Sequence, residues 1–327
     1  MNRRSDVMGL FQTGGYLGLL ALTGSAAYFS AGRLPWPMVV LITLFHGACY
    51  NFLINGFHEL VHDSVFKTRA LNRWFLWVFS FLGWYNHIHF WASHTAHHKY
   101  TLHPPDDGEV VLPVRLTLRG FLFSTILNFP GLYYTLRSTV RRSLGRLEGE
   151  WEIQLFTNAH PELRRKLVNW SRFLLAGHAS IVIISLSRGL WLLPVVVSLA
   201  PFYGGALHYL CNSSQHVGLR NNVPDFRLCC RTIILNPFVQ FLYWHMNYHI
   251  EHHMYARVPC YKLGKLHRLI RHELPASPRG LLQTWKQIIT ILKRQRVEPD
   301  YQYSAVLPEI SSAALLHSAS KAVSPTL

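Results

Sequence analysis

Three histidines lie close together in the sequence HTAHH, at His94, His97 and His98. In a helix, residues spaced i, i+3 and i+4 lie on one face, so these three imidazole rings would point toward one place. Imidazole is a common ligand of iron, copper, zinc and nickel. The spacing therefore indicates a metal-binding helix, provided that other parts of the chain bring further ligands to the same place.

Two other segments carry histidines at helical spacing. GFHELVHD contains His58 and His62 at i and i+4, and NYHIEHHMY repeats the H-x-x-H-H pattern of residues 94–98. A single zinc ion usually takes about four ligands, so eight clustered histidines exceed the needs of one ion and match two. We therefore predict a two-metal site with these ligands: His58, His62, His94, His97, His98, His249, His252 and His253.

Acidic residues within and just after these segments are expected to support the ligands. A metal-bound imidazole usually donates its other N–H to a carboxylate or a carbonyl, which fixes the orientation of the ring. The carboxylates available for this role are Glu59, Asp63, Asp106, Asp107 and Glu251.

Four apolar stretches are long enough to cross a bilayer, which takes about 20 residues of helix. Short turns join the first to the second and the third to the fourth, so they form two hairpins. The predicted spans are approximately residues 10–29, 36–57, 171–188 and 190–211. A further apolar stretch, 74–91, contains Trp, Asn and His and is more typical of a helix lying at the membrane interface.

The chain is strongly basic, with 32 Lys and Arg against 16 Asp and Glu, although half of its residues are hydrophobic. Apart from Arg33 and Arg188, in the two short turns, all of the basic residues lie on one side of the predicted membrane. By the positive-inside rule this side is the cytosol. We therefore expect both termini and the polar segments 58–170 and 212–300 to be cytosolic. Because membrane orientation accounts for the charge, we expect no nucleic acid partner.

Together these features predict an all-α integral membrane protein, with four transmembrane helices in two hairpins and a cytosolic helical cap that holds the metals. We expect residues 1–303 to form this single domain, and residues 304–327, rich in small side chains, to be a loosely ordered tail. The five cysteines form no C-x-x-C pair, which argues against a zinc ribbon or a disulfide framework.

The order H-x-x-x-H, H-x-x-H-H and H-x-x-H-H around two hairpins resembles the membrane fatty acid desaturase and hydroxylase superfamily. The resemblance covers residues 36–272, and the segments HHKYTLHPPDD and HMNYHIEHHMY are similar to the second and third histidine boxes of that family. It implies that the two metal ions are iron and that O2 is a co-substrate.

The resemblance implies two further site residues. Acyl desaturases place an additional histidine just after the fourth span, in an N-x-x-x-H sequence whose asparagine holds a water at one iron. The segment CNSSQH provides Asn212 and His216 in that position. His216 is thereby implied as a ninth histidine ligand, and Asn212 as a ligand through water.

The implied reaction removes hydrogen from an unactivated C–H bond, which no acid, base or nucleophile among the side chains can do, so the metal must supply the chemistry. Loss of two hydrogens from adjacent carbons gives an alkene, whereas insertion of oxygen gives an alcohol. We favour a desaturase that acts on a fatty acyl chain or a related lipid-like substrate, with a hydroxylase of the same superfamily as the alternative. The substrate is expected in a tunnel walled by the spans, the aromatic side chains of 74–91 and residues 201–207.

The first box, H-x-x-x-H, differs from the H-x-x-x-x-H of animal acyl-CoA desaturases. This difference leaves acyl lipids, acyl carrier thioesters and small specialised metabolites open as substrates. No stretch of the chain is free to form a haem-binding donor domain, so we expect electrons from a separate ferredoxin or cytochrome-type partner. The basic cytosolic face would attract an acidic donor.

Other functional classes account for less of the sequence. A metal transporter would need ionisable residues along its spans, and these spans are nearly free of them, apart from His46, His178 and His208. A soluble di-iron carboxylate bundle would need paired Glu-x-x-His motifs, which are absent. The segment HELVH fits the zinc-protease pattern H-E-x-x-H, but a protease site would leave the other histidine clusters without a role.

Overall fold

The fold is taken from a computed structural model that describes residues 1–112 and 116–309. Within these ranges the chain forms α-helices and short 3-10 helices, with isolated β-bridges and no β-strand, so the all-α prediction is confirmed for them. Most of the predicted tail, residues 310–327, lies outside the described residues.

The α-helices in chain order are α1 Asp6–Ser30, α2 Trp36–Tyr50, α3 Leu53–Val61, α4 Arg69–Leu82, α5 His87–Tyr100, α6 Leu118–Thr125, α7 Phe129–Ser143, α8 Gly149–Phe156, α9 Pro161–Ser187, α10 Leu192–Val197, α11 Ala206–Asn212, α12 Phe226–Cys229, α13 Pro237–Leu242, α14 His249–Met254, α15 Cys260–Ile270 and α16 Gly280–Gln295. Short 3-10 helices lie at Ala200–Phe202 and Arg271–Glu273.

Two helices in the described part of the chain are long and apolar enough to cross a bilayer, Trp36–Val61 and Pro161–Ser187. The first combines α2 and α3, which meet at a turn where the Asn51 side chain donates to the carbonyls of Gly47 and Tyr203, both at 2.8 Å. It extends beyond the predicted 36–57, so the first histidine pair lies on its last turns. The second, α9, begins well before the predicted residue 171. The predicted first span, 10–29, lies within the single helix α1.

The apolar stretch 190–211 is not the single helix that we predicted. It consists of α10, a 3-10 helix that contains Pro201, and α11. Between the last two, Tyr203 is extended and Gly204 has a φ of +69°. A Cβ atom on Gly204 would lie 2.3 Å from the carbonyl oxygen of Leu44, so only glycine allows this close approach to α2. Proline and a left-handed glycine therefore break the helix where the chain packs against α2.

The apolar stretch 74–91 is also divided, because α4 ends at Leu82 and α5 begins at His87. Asn86 begins α5, since its side-chain oxygen accepts from two backbone N–H groups of the first turn, each at 3.2 Å. Its side-chain nitrogen donates to Leu167 and Ser171 of α9, each at 2.9 Å. One residue therefore starts the helix of the second histidine box and attaches it to α9.

A buried aromatic core connects the first and third histidine boxes. The ring of Trp244, which is fully buried, packs edge-on against Tyr16 of α1 and Phe79 of α4, with centroids 5.8 and 5.4 Å away. Gly56 of α3 lies against the same rings, because a Cβ there would approach Phe79 to 2.4 Å and Trp244 to 2.5 Å. Since Trp244 precedes α14 closely in the chain, this packing sets α14 at a fixed position relative to α3.

We expect Gly56→Ala to destabilise the protein by about 1–3 kcal/mol, because the added methyl group overpacks the site beside Phe79 and Trp244. Gly18→Ala is the matched control: it is also within a helix, but nothing lies within 4 Å of the position that its Cβ would take, so higher helix propensity should leave stability unchanged or slightly raised. Thermal unfolding in detergent would measure both changes. Equal melting temperatures for the two variants would contradict this account of the core.

Candidate metal centre

Five histidines from three separate helices or helix ends converge on one place, and we call them the first histidine group. Their donor atoms all lie within 4.8 Å of one another. The Nε2 atom of His94 lies 3.1 Å from that of His62 and 3.0 Å from that of His98, which in turn lies 3.1 Å from that of His252. The members are His58, His62, His94, His98 and His252.

A second group of donors lies beside the first and consists of His216, His249, His253 and Cys230, again within 4.8 Å of one another. The Nε2 atom of His249 lies 2.9 Å from that of His216 and 3.1 Å from that of His253. All four residues are buried. We call this set the second donor group. No motif in the sequence pointed to Cys230 as one of its members.

The two groups are neighbours, because the ring of His98 in the first stacks on the ring of His253 in the second, with centroids 4.5 Å apart. His97 belongs to neither set of donor atoms, but its ring lies beside the second group, 5.4 Å from His216 and 5.0 Å from His253. Eight of the nine predicted histidine ligands are therefore brought together in two sets, and the ninth lies next to the second set.

The H-x-x-H-H motifs are split between the two groups. In α5, His94 and His98 belong to the first group, whereas His97 faces the second; in α14, His252 belongs to the first and His249 with His253 to the second. Successive helical residues point about 100° apart, so His97 and His98 diverge widely. The prediction that residues 94–98 direct three rings toward one place is therefore wrong, and each motif supplies both groups.

Hydrogen bonds at the outer nitrogen of several rings fix their orientation. The Nδ1 atoms of His94 and His97 lie 2.8 Å from carboxylate oxygens of Glu109 and Asp107, and that of His216 lies 2.8 Å from the backbone carbonyl of Cys229. With Nδ1 turned outward in this way, Nε2 is left to face the centre of each group. This is the arrangement that metal-bound histidines usually show.

Three more ring nitrogens have weaker outer contacts. The Nδ1 atom of His58 lies 3.2 Å from a carboxylate oxygen of Glu59, and the same oxygen is 3.4 Å from Nδ1 of His252. The Nδ1 atom of His253 lies 3.2 Å from the hydroxyl of Thr101. Glu59 therefore supports one histidine of the first box and one of the third.

Only some of the carboxylates that were predicted to support the ligands contact their rings in the structure. Glu59 and Asp107 contact histidine rings, as predicted, and Asp106 is exposed. Asp63 instead pairs with Arg4 at 3.2 Å. Glu251 accepts from the Thr232 hydroxyl at 2.5 Å and contacts His267, which lies outside both groups.

Glu109 was missed, because no helical spacing connects it to the second box. Its other carboxylate oxygen accepts from Ser93 at 2.8 Å, and Ser93 accepts from the indole of Trp151 at 3.0 Å. The outer partner of His94 is thus itself held by two further residues.

The protonation pattern of the rings fits a bound cation. A backbone carbonyl can only accept, so the proton of neutral His216 is on Nδ1 and its Nε2 carries a lone pair. The same holds for His94 against an ionised Glu109. Donor separations of 2.9–3.1 Å are those of neighbouring ligands at right angles around an ion, since metal–nitrogen bonds of about 2.1 Å give about 3.0 Å between such ligands. The residues present therefore fit a metal.

The environment keeps the imidazoles neutral, as metal ligands must be. Burial, followed by repulsion from neighbouring imidazoles, lowers the pKa of His98 to about 2 and that of His216 to about 3. The same causes hold the pKa of five further histidines well below the ordinary value: His62, His94, His249, His252 and His253. Burial raises the pKa of Asp107, but hydrogen bonds from His97 and backbone N–H groups outweigh it, so that carboxyl stays below its usual range.

Asn212 and His216 are separated by the end of a helix. Asn212 is the last residue of α11 and is exposed, whereas the following turns carry His216 into the interior, where it is only 8% exposed. The four-residue spacing therefore does not place the two side chains on one helical face. The structure places Asn212 on the surface and in neither group of donors, and its water-mediated role stays a prediction.

The family model described as fatty acid desaturase matches residues 34–285. The chain belongs to the fatty acid desaturase family. A relative from Oryza sativa subsp. japonica, described as a sphingolipid delta(4)-desaturase DES1-like protein, is 26% identical over 267 residues, which are 78% of this chain and 70% of the rice protein. The protein is therefore an oxidoreductase of a membrane-associated family, and the family predicted from the histidine boxes is confirmed.

We expect Glu109→Ala to lower the metal affinity of the protein by about 10–100-fold, because His94 loses the acceptor that orients it. Glu109→Gln should recover part of the loss, since its amide oxygen can still accept from Nδ1. Titration of the purified metal-free protein with Co²⁺ would measure both. Glu162→Ala, at an exposed position of α9, is the control, and an affinity for Glu109→Ala equal to that of this control would remove Glu109 from the site.

Proposed function

We propose that the protein is an O2-dependent di-iron desaturase that introduces a double bond into a fatty acyl chain or a related lipid-like substrate. The observation that carries the proposal is the pair of adjacent donor groups built from the three histidine boxes. Bound iron would supply the O2 and electron chemistry that breaks an unactivated C–H bond. The proposed ligands are His58, His62, His94, His97, His98, His216, His249, His252 and His253.

The contribution of the chain is position and exclusion of water. Outer hydrogen bonds to Glu109, Asp107 and the Cys229 carbonyl hold three rings in place without a change of proton position. Most of the ring-bearing residues are buried, so a reacting chain would be held away from bulk water. Exclusion of water of this kind protects a reactive centre from side reactions.

An apolar cavity supports a long-chain substrate. It has a volume of about 460 Å³ and is lined mainly by α1, α2 and α10, including Leu17, Ala21, Tyr28 and Tyr50. Its volume lies in the range of about 300–1,000 Å³ that is usual for ligand pockets. Tyr50 lies about two helical turns before His58 along Trp36–Val61, so we propose that the cavity takes the part of the chain beyond the reacting carbons. Residues 74–91 and 201–207 were predicted to form the wall of the substrate tunnel. Of these residues, Leu82 lines this cavity.

The proposal also includes the arrangement of the helices in the membrane. We infer a multi-pass integral membrane protein with both termini in the cytosol, in which α1, α2 with α3, α9 and the broken segment 190–211 cross or enter the bilayer. The two long apolar helices and the one-sided distribution of basic residues support it. The broken segment packs its backbone against α2, which fits the rule that irregular backbone at membrane depth must be covered by protein.

We propose that a separate ferredoxin or cytochrome-type protein delivers the electrons. Lys99 directly follows the second histidine box and Arg257 lies four residues after the third, and both are exposed. Cations beside the metal-binding helices would attract an acidic donor to the part of the surface nearest the site.

Metal transport is a weaker interpretation. Two intramembrane histidines that could line a path are engaged in bonds between helices. His46 contacts the Thr23 hydroxyl at 2.8 Å and the Val196 carbonyl at 2.9 Å, and His178 contacts Ser198 and the Phe81 carbonyl, both at 2.9 Å. They therefore serve helix packing.

The decisive experiment compares the lipids and metabolites of cells with the wild-type protein, with His97→Ala and without either, grown under ¹⁸O2. We expect the wild type to contain about two irons per chain and to produce an unlabelled alkene. A lipid-bound chain is the first substrate to examine, since the rice relative is named for a sphingolipid; acyl carrier thioesters and small metabolites follow. His97→Ala should insert into the membrane and give no product.

Each other outcome has a defined meaning. An ¹⁸O-labelled alcohol would replace the desaturase with a hydroxylase. One zinc and no iron in the purified protein would contradict the di-iron proposal. Full turnover by His97→Ala would remove that residue from the ligand set.

We expect Ala21→Phe to shift the preference of the enzyme toward shorter chains by filling part of the cavity. Ala26→Phe, at an exposed position of α1, is the control and should leave the preference unchanged. Competition between substrates of different chain length, read as relative turnover, would measure the shift. An unchanged preference in Ala21→Phe would place the chain elsewhere.

A further inference from the structure

Cys230 is the member of the second donor group that the histidine boxes do not account for. Its Sγ atom lies within 4.8 Å of the donor nitrogens of His216, His249 and His253. It is 3% exposed, and it is free rather than disulfide-bonded.

The thiol has little else to bind. Its one polar contact among the described residues is with the Sγ atom of Cys229, at 3.9 Å. On its other side it packs among the apolar residues Leu102, Ile250 and Leu274. A buried cysteine often serves only as a small apolar residue, but this one is also directed at three converging imidazoles.

The backbone around Cys230 is fixed to the segments that carry these imidazoles. The carbonyl of Cys229 accepts from His216. The Arg231 guanidinium donates to the carbonyls of Ser214 and Val217, which flank His216 in the chain. The Thr232 hydroxyl accepts from the backbone N–H of Ile250 at 3.2 Å, and Ile250 directly follows His249 in the chain. The thiol is therefore held against both parts of the second group.

The separations allow a common ion. Two donors that bind one ion at about 2.1–2.3 Å lie about 3.1–3.6 Å apart when they are neighbours and up to about 4.4 Å apart when they are opposite, and the donors of this group lie within 4.8 Å of one another. Rotation of the cysteine side chain would bring the thiol toward the ring nitrogens when an ion binds. Thiolate is a soft ligand that binds iron and zinc well. With His97, which is proposed as a ligand and lies beside this group, the second ion would have five donors.

We propose that Cys230 is a thiolate ligand of the metal ion in the second donor group. The two ions are then chemically different: the first has imidazole nitrogens only, and the second has nitrogens and one sulfur. This inference rests on the proposed metal site but not on the substrate or on the outcome of the reaction.

The test is the electronic spectrum of the protein loaded with two equivalents of Co²⁺. We expect wild type to show the near-ultraviolet charge-transfer absorption of a cobalt thiolate, and Cys230→Ala and Cys230→Ser to lack it. The affinity for the second cobalt ion should fall in both variants by at least roughly the 10–100-fold that loss of a supporting residue costs. Cys260→Ala, which removes a buried thiol outside both groups, is the control and should keep the absorption.

Wild-type protein decides the question even if the variants fold poorly. Two bound cobalt ions without thiolate absorption would overturn the assignment of Cys230, as would absorption that persists in Cys230→Ala and disappears in Cys229→Ala. Either result leaves a di-iron desaturase standing if the iron-loaded protein still forms product. A protein that binds no metal would instead overturn the proposed function itself.

Discussion

Lone pairs on imidazole nitrogens that face one another at about 3 Å repel unless a proton or a metal cation lies between them. His216 must direct such a lone pair inward, because its other nitrogen donates to a carbonyl, and its Nε2 lies 2.9 Å from that of His249. Burial removes the water that would otherwise screen this repulsion, and it also keeps the rings uncharged. The centre of the protein therefore gathers inward-facing nitrogen atoms that a metal cation would bind.

The scaffold holds several of these rings from outside. Glu109, Asp107 and the Cys229 carbonyl fix three rings at Nδ1, and Glu59 supports rings from two different helices. The aromatic packing around Trp244 sets the distance between the helix ends that carry the first and third boxes. Preorganisation of this kind lets an ion enter a site whose ligands need little movement.

The break in residues 190–211 shows how the need to position the rings shapes an apolar part of the chain. A continuous helix would satisfy its own backbone and stay separate from α2. The extended Tyr203 and left-handed Gly204 instead bring the chain into direct contact with α2, where Asn51 donates to the Tyr203 carbonyl at 2.8 Å. The segment then continues through α11 to the turns that contain His216. The interruption of this apolar stretch therefore connects it to the candidate site.

The sequence by itself identified the histidines that the structure brings together, because histidine spacing within a helix is fixed by helical geometry, and it also determined the all-helical class and the family. Only the tertiary structure decided how the histidines divide, since spacing sets angles along one helix but not distances between helices. For that reason the sequence did not show that His97 faces a different group from His94 and His98, or that Asn212 lies on the surface, and Cys230 and Glu109 were missed. A cysteine or glutamate with no periodic relation to a motif becomes visible only when separate segments pack together.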